Sequence, residues 1–215
     1  MKLKKLNLKS FKSEKKLFEE CLKDFNKGKN VLISGGNTLN YFLRLLSKKK
    51  ITYKKNLVLF DERITKESKK RNFYKINKYL IKKKIFEKKK FFNFENLKKD
   101  IENKEIKKIQ EKLEKIPRPD LALIGVGDDG HIGSIFPESK KKYKILVISK
   151  RKNEKFDRIS LNFNYIKKIK KIIIIINRNK KKILNDILFG NNNYKLPVFK
   201  LIKIASNKIF LYYKK

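Results

Sequence analysis

Three short segments hold most of the residues whose types and spacing suit chemistry. The first, S-G-G-N-T (Ser34 to Thr38), sets two glycines between an apolar V-L-I run and a stretch of helical spacing. Gly35 and Gly36 let the backbone approach an anion closely, and the amides of Asn37 and Thr38 at a helix start favour phosphate. The second, D-E-R (Asp61 to Arg63), follows L-V-L-F. It offers a proton acceptor, an orienting carboxylate and a guanidinium fork for phosphate. The third, G-V-G-D-D-G-H-I-G-S-I-F-P (Gly125 to Pro137), follows D-L-A-L-I and holds His131, the one histidine of the chain, among four of its 8 glycines. So glycine-rich a loop turns tightly enough to present an imidazole at a fixed place, and imidazole changes charge near neutral pH.

Each segment taken alone has a plainer explanation: a turn, a surface salt-bridge cluster, a bland histidine. The P-loop spacing G-x-x-x-x-G-K-[ST] is absent from the first. Their shared position argues for more. Each follows an apolar, β-rich run, and in an open α/β sheet ligands bind at the loops beyond the carboxyl ends of the strands.

The elements that must position these segments follow from periodicity. Strands are predicted at residues 30–33, 56–60, 120–124, 144–148, 158–163, 171–177, 198–203 and 208–212, the last two as a terminal hairpin. Helices are predicted at 13–25, 39–47, 72–83, 97–115 and 180–188, where apolar residues recur at three and four. The polar stretches 82–90 and 191–193 read as surface loops. The alternation predicts one α/β domain over residues 1–215, a mainly parallel Rossmann-like sheet with helices on both faces.

Composition narrows the possibilities. Hydrophobic residues make up 40% of the 215, with 16 Phe and 9 Tyr, enough to fill a core despite 38% charge. A single cysteine, Cys21, excludes an intramolecular disulfide framework and a cysteine-built zinc site, and one histidine leaves no His cluster for a metal. Lys and Arg number 60 against 21 Asp and Glu, a net charge of +39 that ordinarily suggests a polyanion partner. The lysines run from Lys2 to Lys215 without gathering into an arm or stripe, and alanine occurs only at Ala122 and Ala205. A compositional bias explains such a charge without a specific nucleic-acid partner. The longest apolar run, Ile172 to Ile176, falls far short of the roughly 20 residues that span a bilayer. The opening M-K-L-K-K-L develops no signal-peptide core. No membrane partner and a cytoplasmic location are expected.

With the three motifs in order, the chain resembles the 6-phosphogluconolactonases, within the superfamily that also holds the glucosamine-6-phosphate deaminases. The lactonase pattern is roughly S-G-G-S-T-P, then D-E-R, then G-x-G-x-D-G-H-x-A-S-L-F-P. The R-I-S-L-N-F from Arg158 is similar to the R-I-T-L strand of that family, and Lys180 falls where the family carries a phosphate-side lysine. Deaminases resemble D-G-H-I-A-F-N-E-P and D-E-Y, with a glutamate where this chain has Phe136 and a tyrosine where it has Arg63. The departures from the lactonase pattern are Asn37 for Ser, Leu39 for Pro, Gly133 for Ala, and the loss of V-P after D-E-R. Leu39 forfeits a helix-start preference of about 1 kcal/mol.

The resemblance implies a small-molecule phosphosugar lactone, 6-phospho-D-glucono-1,5-lactone, hydrolysed in the oxidative pentose phosphate pathway. It implies phosphate on Gly35, Gly36, Asn37 and Thr38, clamped by Arg158 and Lys180, with Arg63 as a further candidate. His131 would be the general base for water, and Asp61 or Asp129 would orient the imidazole or the sugar hydroxyls. It implies no metal or cofactor, and it gives no oligomeric state. Two rivals remain: an aldose-ketose isomerase or deaminase with Asp61 as base, and a non-enzymatic polyanion binder on the same scaffold.

Overall fold

The computed structural model describes residues 6–95, 97, 101–137, 141–151, 154–189 and 195–215. In chain order its elements are β1 (Asn7–Phe11), α1 (Glu14–Lys27), β2 (Asn30–Ile33), α2 (Asn40–Ser47), β3 (Asn56–Leu59), β4 (Asp61–Ile64), α3 (Asn72–Ile76), β5 (Phe91–Phe92), α4 (Asn103–Glu114), β6 (Leu121–Gly125), β7 (Lys141–Lys142), β8 (Leu146–Lys150), β9 (Asp157–Leu161), α5 (Phe163–Ile166), β10 (Lys171–Ile176), α6 (Lys181–Phe189), α7 (Pro197–Ala205) and β11 (Ile209–Lys214).

Seven strands form one wholly parallel sheet in the order β1-β11-β10-β6-β2-β3-β5. Its central strands are continuous apolar runs, Ile172 to Ile176 among them, buried as a parallel sheet covered on both faces requires. The chain leaves β2 toward β3 but leaves β6 toward β10, so the direction of winding reverses between β2 and β6. Right-handed crossovers then put α1 to α3 on one face and α4, α6 and α7 on the other. That reversal opens a crevice at the carboxyl ends of β2 and β6. A second, antiparallel sheet, β4-β9-β8-β7, stands beside it.

Local chemistry explains the covering helices. Ser13 caps α1 by accepting from the Lys16 amide, and the helix buries Leu17, Phe18, Cys21, Leu22 and Phe25 along one stripe. Phe25 meets Phe42 of α2, Tyr53 and Phe86 edge-on. It is fully buried, and its removal from water stabilises the fold by about 1.5–3 kcal/mol.

The fold class matches the sequence-based expectation, and its central strands begin and end within two residues of the predicted bounds. Five expectations need correction. Residues 198–203 lie in helix α7, not in a strand. Val198, Phe199, Leu201, Ile202 and Ala205 are buried at spacings of three and four, and Pro197 opens the helix. The run is short, apolar and β-rich in composition, yet its two lysines, Lys200 and Lys203, share one exposed helical face. There is accordingly no terminal hairpin: β11 lies parallel between β1 and β10. D-E-R is not a loop beyond a strand but strand β4 itself, reached through Phe60, where the chain leaves the parallel sheet. The stretch 82–90 buries Ile85 and Phe86, so it is not wholly a surface loop. The predicted helix 72–83 is α-helical only to Ile76 and continues as a π turn over Asn77–Ile81. Residues 98–100 of the fourth predicted helix and the polar stretch 191–193 lie outside the described residues. Strand β1 escaped detection because it is an exposed edge with a polar sequence. Among the described residues no helix is long and apolar enough to cross a membrane.

Candidate active site

The site sits at the β2/β6 reversal, and small residues lock its two walls together. The Ser34 amide donates to the Leu123 carbonyl at 3.1 Å, and the Gly125 amide donates to Ser34 Oγ at 3.2 Å. A Cβ on Gly125 would come within 2.6 Å of Thr38 Oγ1, and one on Gly35 within 2.3 Å of Asn72 Cβ. Gly36 differs, because a Cβ there would meet open space. Beside it Asn37 is exposed and accepts from Lys75 Nζ at 2.5 Å, while Thr38 is buried.

The loop after β6 folds back on itself through bridges Val126 to Ile132 and Ile132 to Ile135. The Gly127 amide donates to the His131 carbonyl at 2.9 Å, and Gly130 takes a left-handed φ of +74° where a side chain would be strained. Gly127 serves the imidazole directly, since a Cβ there would lie 2.0 Å from the His131 ring. His131 Nδ1 pairs with Asp129 Oδ1, which also accepts from the His131 amide at 3.2 Å. That bond to His131 holds the Asp129 carboxyl well below the usual aspartate range, against the opposing effect of burial, and Arg151 lies 3.6 Å from its other oxygen. An ionised Asp129 at Nδ1 keeps the proton on that nitrogen and leaves Nε2 as the acceptor. The Phe136 ring packs on the imidazole, with centroids 4.8 Å apart.

The second sheet delivers the remaining charged groups. Asp61 is buried and accepts from Ser134 Oγ at 2.8 Å, while Ser149 Oγ donates to the Ser134 carbonyl at 2.5 Å, so the histidine loop is stitched to β4 and β8. Burial pushes the Asp61 carboxyl up, opposed by the Ser134 hydroxyl and by the charges of Arg158, His131 and Arg63. Arg63 and Arg158 stand directly opposite each other in the β4/β9 register, an arrangement that repels unless an anion intervenes. Glu154 is that anion here. Its Oε2 accepts from Arg158 Nε at 2.7 Å and its Oε1 from Arg158 Nη2. Burial pushes the Glu154 carboxyl up, but Arg158, Arg63 and Arg151 outweigh it and hold the group below its ordinary value. Arg63 Nη1 donates to the Lys70 carbonyl at 2.7 Å, and its Nε is buried without a partner. Glu62 faces away from this chemistry: fully buried, it accepts from the amides of Arg63, Asn72 and Phe73 and so caps α3.

The structure therefore gathers Asp61, Arg63, Asp129, His131 and Arg158 into one region, next to the Gly35 to Thr38 turn. Lys180 arrives by another wall. Its Nζ donates to the Val126 carbonyl and lies 3.9 Å from Asp128, on the histidine loop, whereas the Arg158 guanidinium is taken up by Glu154. Burial lowers the Lys180 pKa, with Asp128 and Asp129 opposing. Sequence reasoning missed Lys75 and Glu154, two charged residues outside every motif, and did not foresee that Ser134 serves Asp61. Only the last had a signal, its place inside the glycine-rich motif. Among the described residues no three of His, Cys, Asp and Glu cluster to hold a metal ion.

A doubly wound sheet with an imidazole–carboxylate pair and opposed arginines at its reversal point defines an α/β protein suited to acid–base work on a small anion. Residues 11–210 match the family of glucosamine-6-phosphate isomerases/6-phosphogluconolactonase, and the chain belongs to it. The 6-phosphogluconolactonase of Helicobacter pylori is 29% identical over 100 residues, 43% of this chain and 44% of that protein. A probable 6-phosphogluconolactonase of Dictyostelium discoideum is 31% identical over 115 residues, 50% of this chain and 48% of that protein. The matches thus span about half the length of these curated relatives. The crystal structure of a 6-phosphogluconolactonase from Shewanella baltica superposes with a TM-score of 0.81 at 21% identity, covering 99% of both chains.

Proposed function

We propose that this chain hydrolyses 6-phospho-D-glucono-1,5-lactone to 6-phosphogluconate. The observation that carries the reading is the Asp129–His131 pair, held by Gly127 in a fixed loop at the sheet reversal, with the opposed Arg63 and Arg158 on the second sheet. The phosphate sits against Gly35, Gly36, Asn37 and Thr38, with Arg63, and exchanges with the Glu154 carboxylate on Arg158. Lys180 supports the same charge from the histidine loop. His131 Nε2 takes a proton from water as its oxygen bonds to the lactone carbonyl carbon. The carbon–ring-oxygen bond then breaks, and the imidazolium returns the proton to the departing ring oxygen. Asp129 stabilises the imidazolium between these transfers, and Asp61 orients the sugar. Water is the sole co-reactant.

An isomerase or deaminase on the same family scaffold is the second reading, favoured by the buried Asp61 carboxyl as a base. Against it, Phe136 occupies the position of the deaminase glutamate, and its ring lies on the imidazole. The test is the loss of freshly generated lactone, measured against its spontaneous hydrolysis, with wild type and His131→Ala side by side. Wild type is expected to accelerate the loss, and the variant to lose about 10²- to 10⁴-fold of it. Acceleration that survives the substitution would discard the role of His131. No acceleration, with turnover of glucosamine 6-phosphate instead, would select the second reading.

A further inference from the structure

Lysine 75 belongs to none of the motifs, and in a chain with 60 Lys and Arg it is inconspicuous by sequence. Its surroundings are unusual. It is partly buried on α3, and its ammonium donates to Asn37 Oδ1 at the exposed corner of the Gly35 to Thr38 turn. Among the described residues it has no carboxylate partner within ion-pair distance, and the charge that acts on it is that of another cation, Arg63. Burial, then Arg63, lowers its pKa. Arg63 in turn has an orphaned buried Nε and only a backbone carbonyl at Nη1. Two like charges left with unspent donors, beside a glycine that leaves open space, form an environment that an anion would relieve.

Resting on the lactonase reading, we infer that Lys75 and Arg63 form a cationic pair that binds the substrate phosphate over Gly36, with Asn37 holding the Lys75 ammonium in place. Phosphate fits better than a carboxylate because its three terminal oxygens can accept from Lys75, Arg63 and the turn amides together. The pair also gives Asn37 a purpose that a serine, one bond shorter and unable to reach as far, serves less well.

The test compares wild type, Lys75→Met, Lys75→Gln and Lys75→Arg on the phosphorylated lactone and on D-glucono-1,5-lactone, which lacks the phosphate. Inorganic phosphate serves as a competitive inhibitor and, in calorimetry, as a direct ligand. For Lys75→Met the expected result is KM raised about tenfold on the phosphorylated lactone, with a parallel rise in the phosphate inhibition constant. The unphosphorylated lactone should be turned over as by wild type, and Lys75→Arg should recover most of the loss. Equal losses on both lactones, or an unchanged phosphate inhibition constant in folded Met and Gln variants, would overturn the inference. If wild type hydrolyses neither lactone but still binds phosphate, and Lys75→Met weakens that binding, the anion site stands while the lactonase reading falls.

Discussion

At the scale of single residues, the site holds its two carboxyl groups by opposite means. Asp129 stays ionised because His131 and Arg151 surround it, whereas Asp61 is buried and its carboxyl is pushed above the ordinary value of 3.8. The second arrangement costs stability, with a definite sign. Well below 3.8 the folded and unfolded chains both hold the Asp61 proton and no penalty exists. As pH rises the unfolded chain releases its proton first, so stability falls until the raised folded pKa is passed and stays at that lower level above it. Asp61→Asn keeps an oxygen acceptor for Ser134 and removes the buried charge. It is expected to raise Tm by about 2–4 °C near pH 7.5 for each ~1 kcal/mol relieved, with the gain vanishing toward pH 3.5. Thermal melts across that range decide it, and a variant less stable than wild type at pH 7.5 would show that ionised Asp61 is net stabilising.

Elements bring these residues together by hydrogen bonds that cross from one sheet to the other. The histidine loop leaves the parallel sheet after β6, is pinned to β4 and β8 through Ser134, and is braced from beyond by α7. The Val198 amide at the α7 start donates to the Gly130 carbonyl at 3.0 Å, and Leu196 packs on Gly130. Ser134→Ala removes the hydroxyl that serves buried Asp61. The expected cost is about 1–3 kcal/mol, the range for a buried acceptor stripped of its donor. The loss should be larger at pH 7.5 than at pH 4, where a protonated Asp61 needs the donor less, and urea titrations at the two pH values measure it. Equal loss at both would assign Ser134 a packing role alone. A helix at 197–205, rather than the predicted strand, is what makes the brace possible, since the first amides of a helix have no partner within it.

Over the whole molecule the net charge of +39 surrounds a site read as binding a dianion. A field of that size steers anions whatever its evolutionary origin. The value of kcat/KM for the phosphorylated lactone is therefore expected to fall about tenfold between roughly 10 mM and 500 mM salt, as the Debye length shrinks from tens of ångströms to a few, while kcat stays nearly constant. Stopped-flow or initial-rate series in potassium chloride measure this. A flat profile would show that the surface lysines are too diffuse to act on capture and that Lys75, Arg63 and their neighbours suffice.

Local and periodic features were legible in the residues alone. The buried strands of the parallel sheet were legible because both faces are covered and their residues are uniformly apolar. The turn at Gly35 and Gly36 and the loop around His131 were legible because close backbone approach and left-handed torsions demand glycine. Tertiary structure decided whatever depends on partners distant in the chain. D-E-R became a strand because Asp61 to Ile64 pair with Asp157 to Ser160, nearly 100 residues on. Arg158 came to face Arg63 because β9 pairs with β4, and Lys75 joined the site only because α3 carries it back to Asn37, 38 residues earlier. Neither charge is distinguishable by local pattern from the many that face solvent, and only the fold determines which cations share a site.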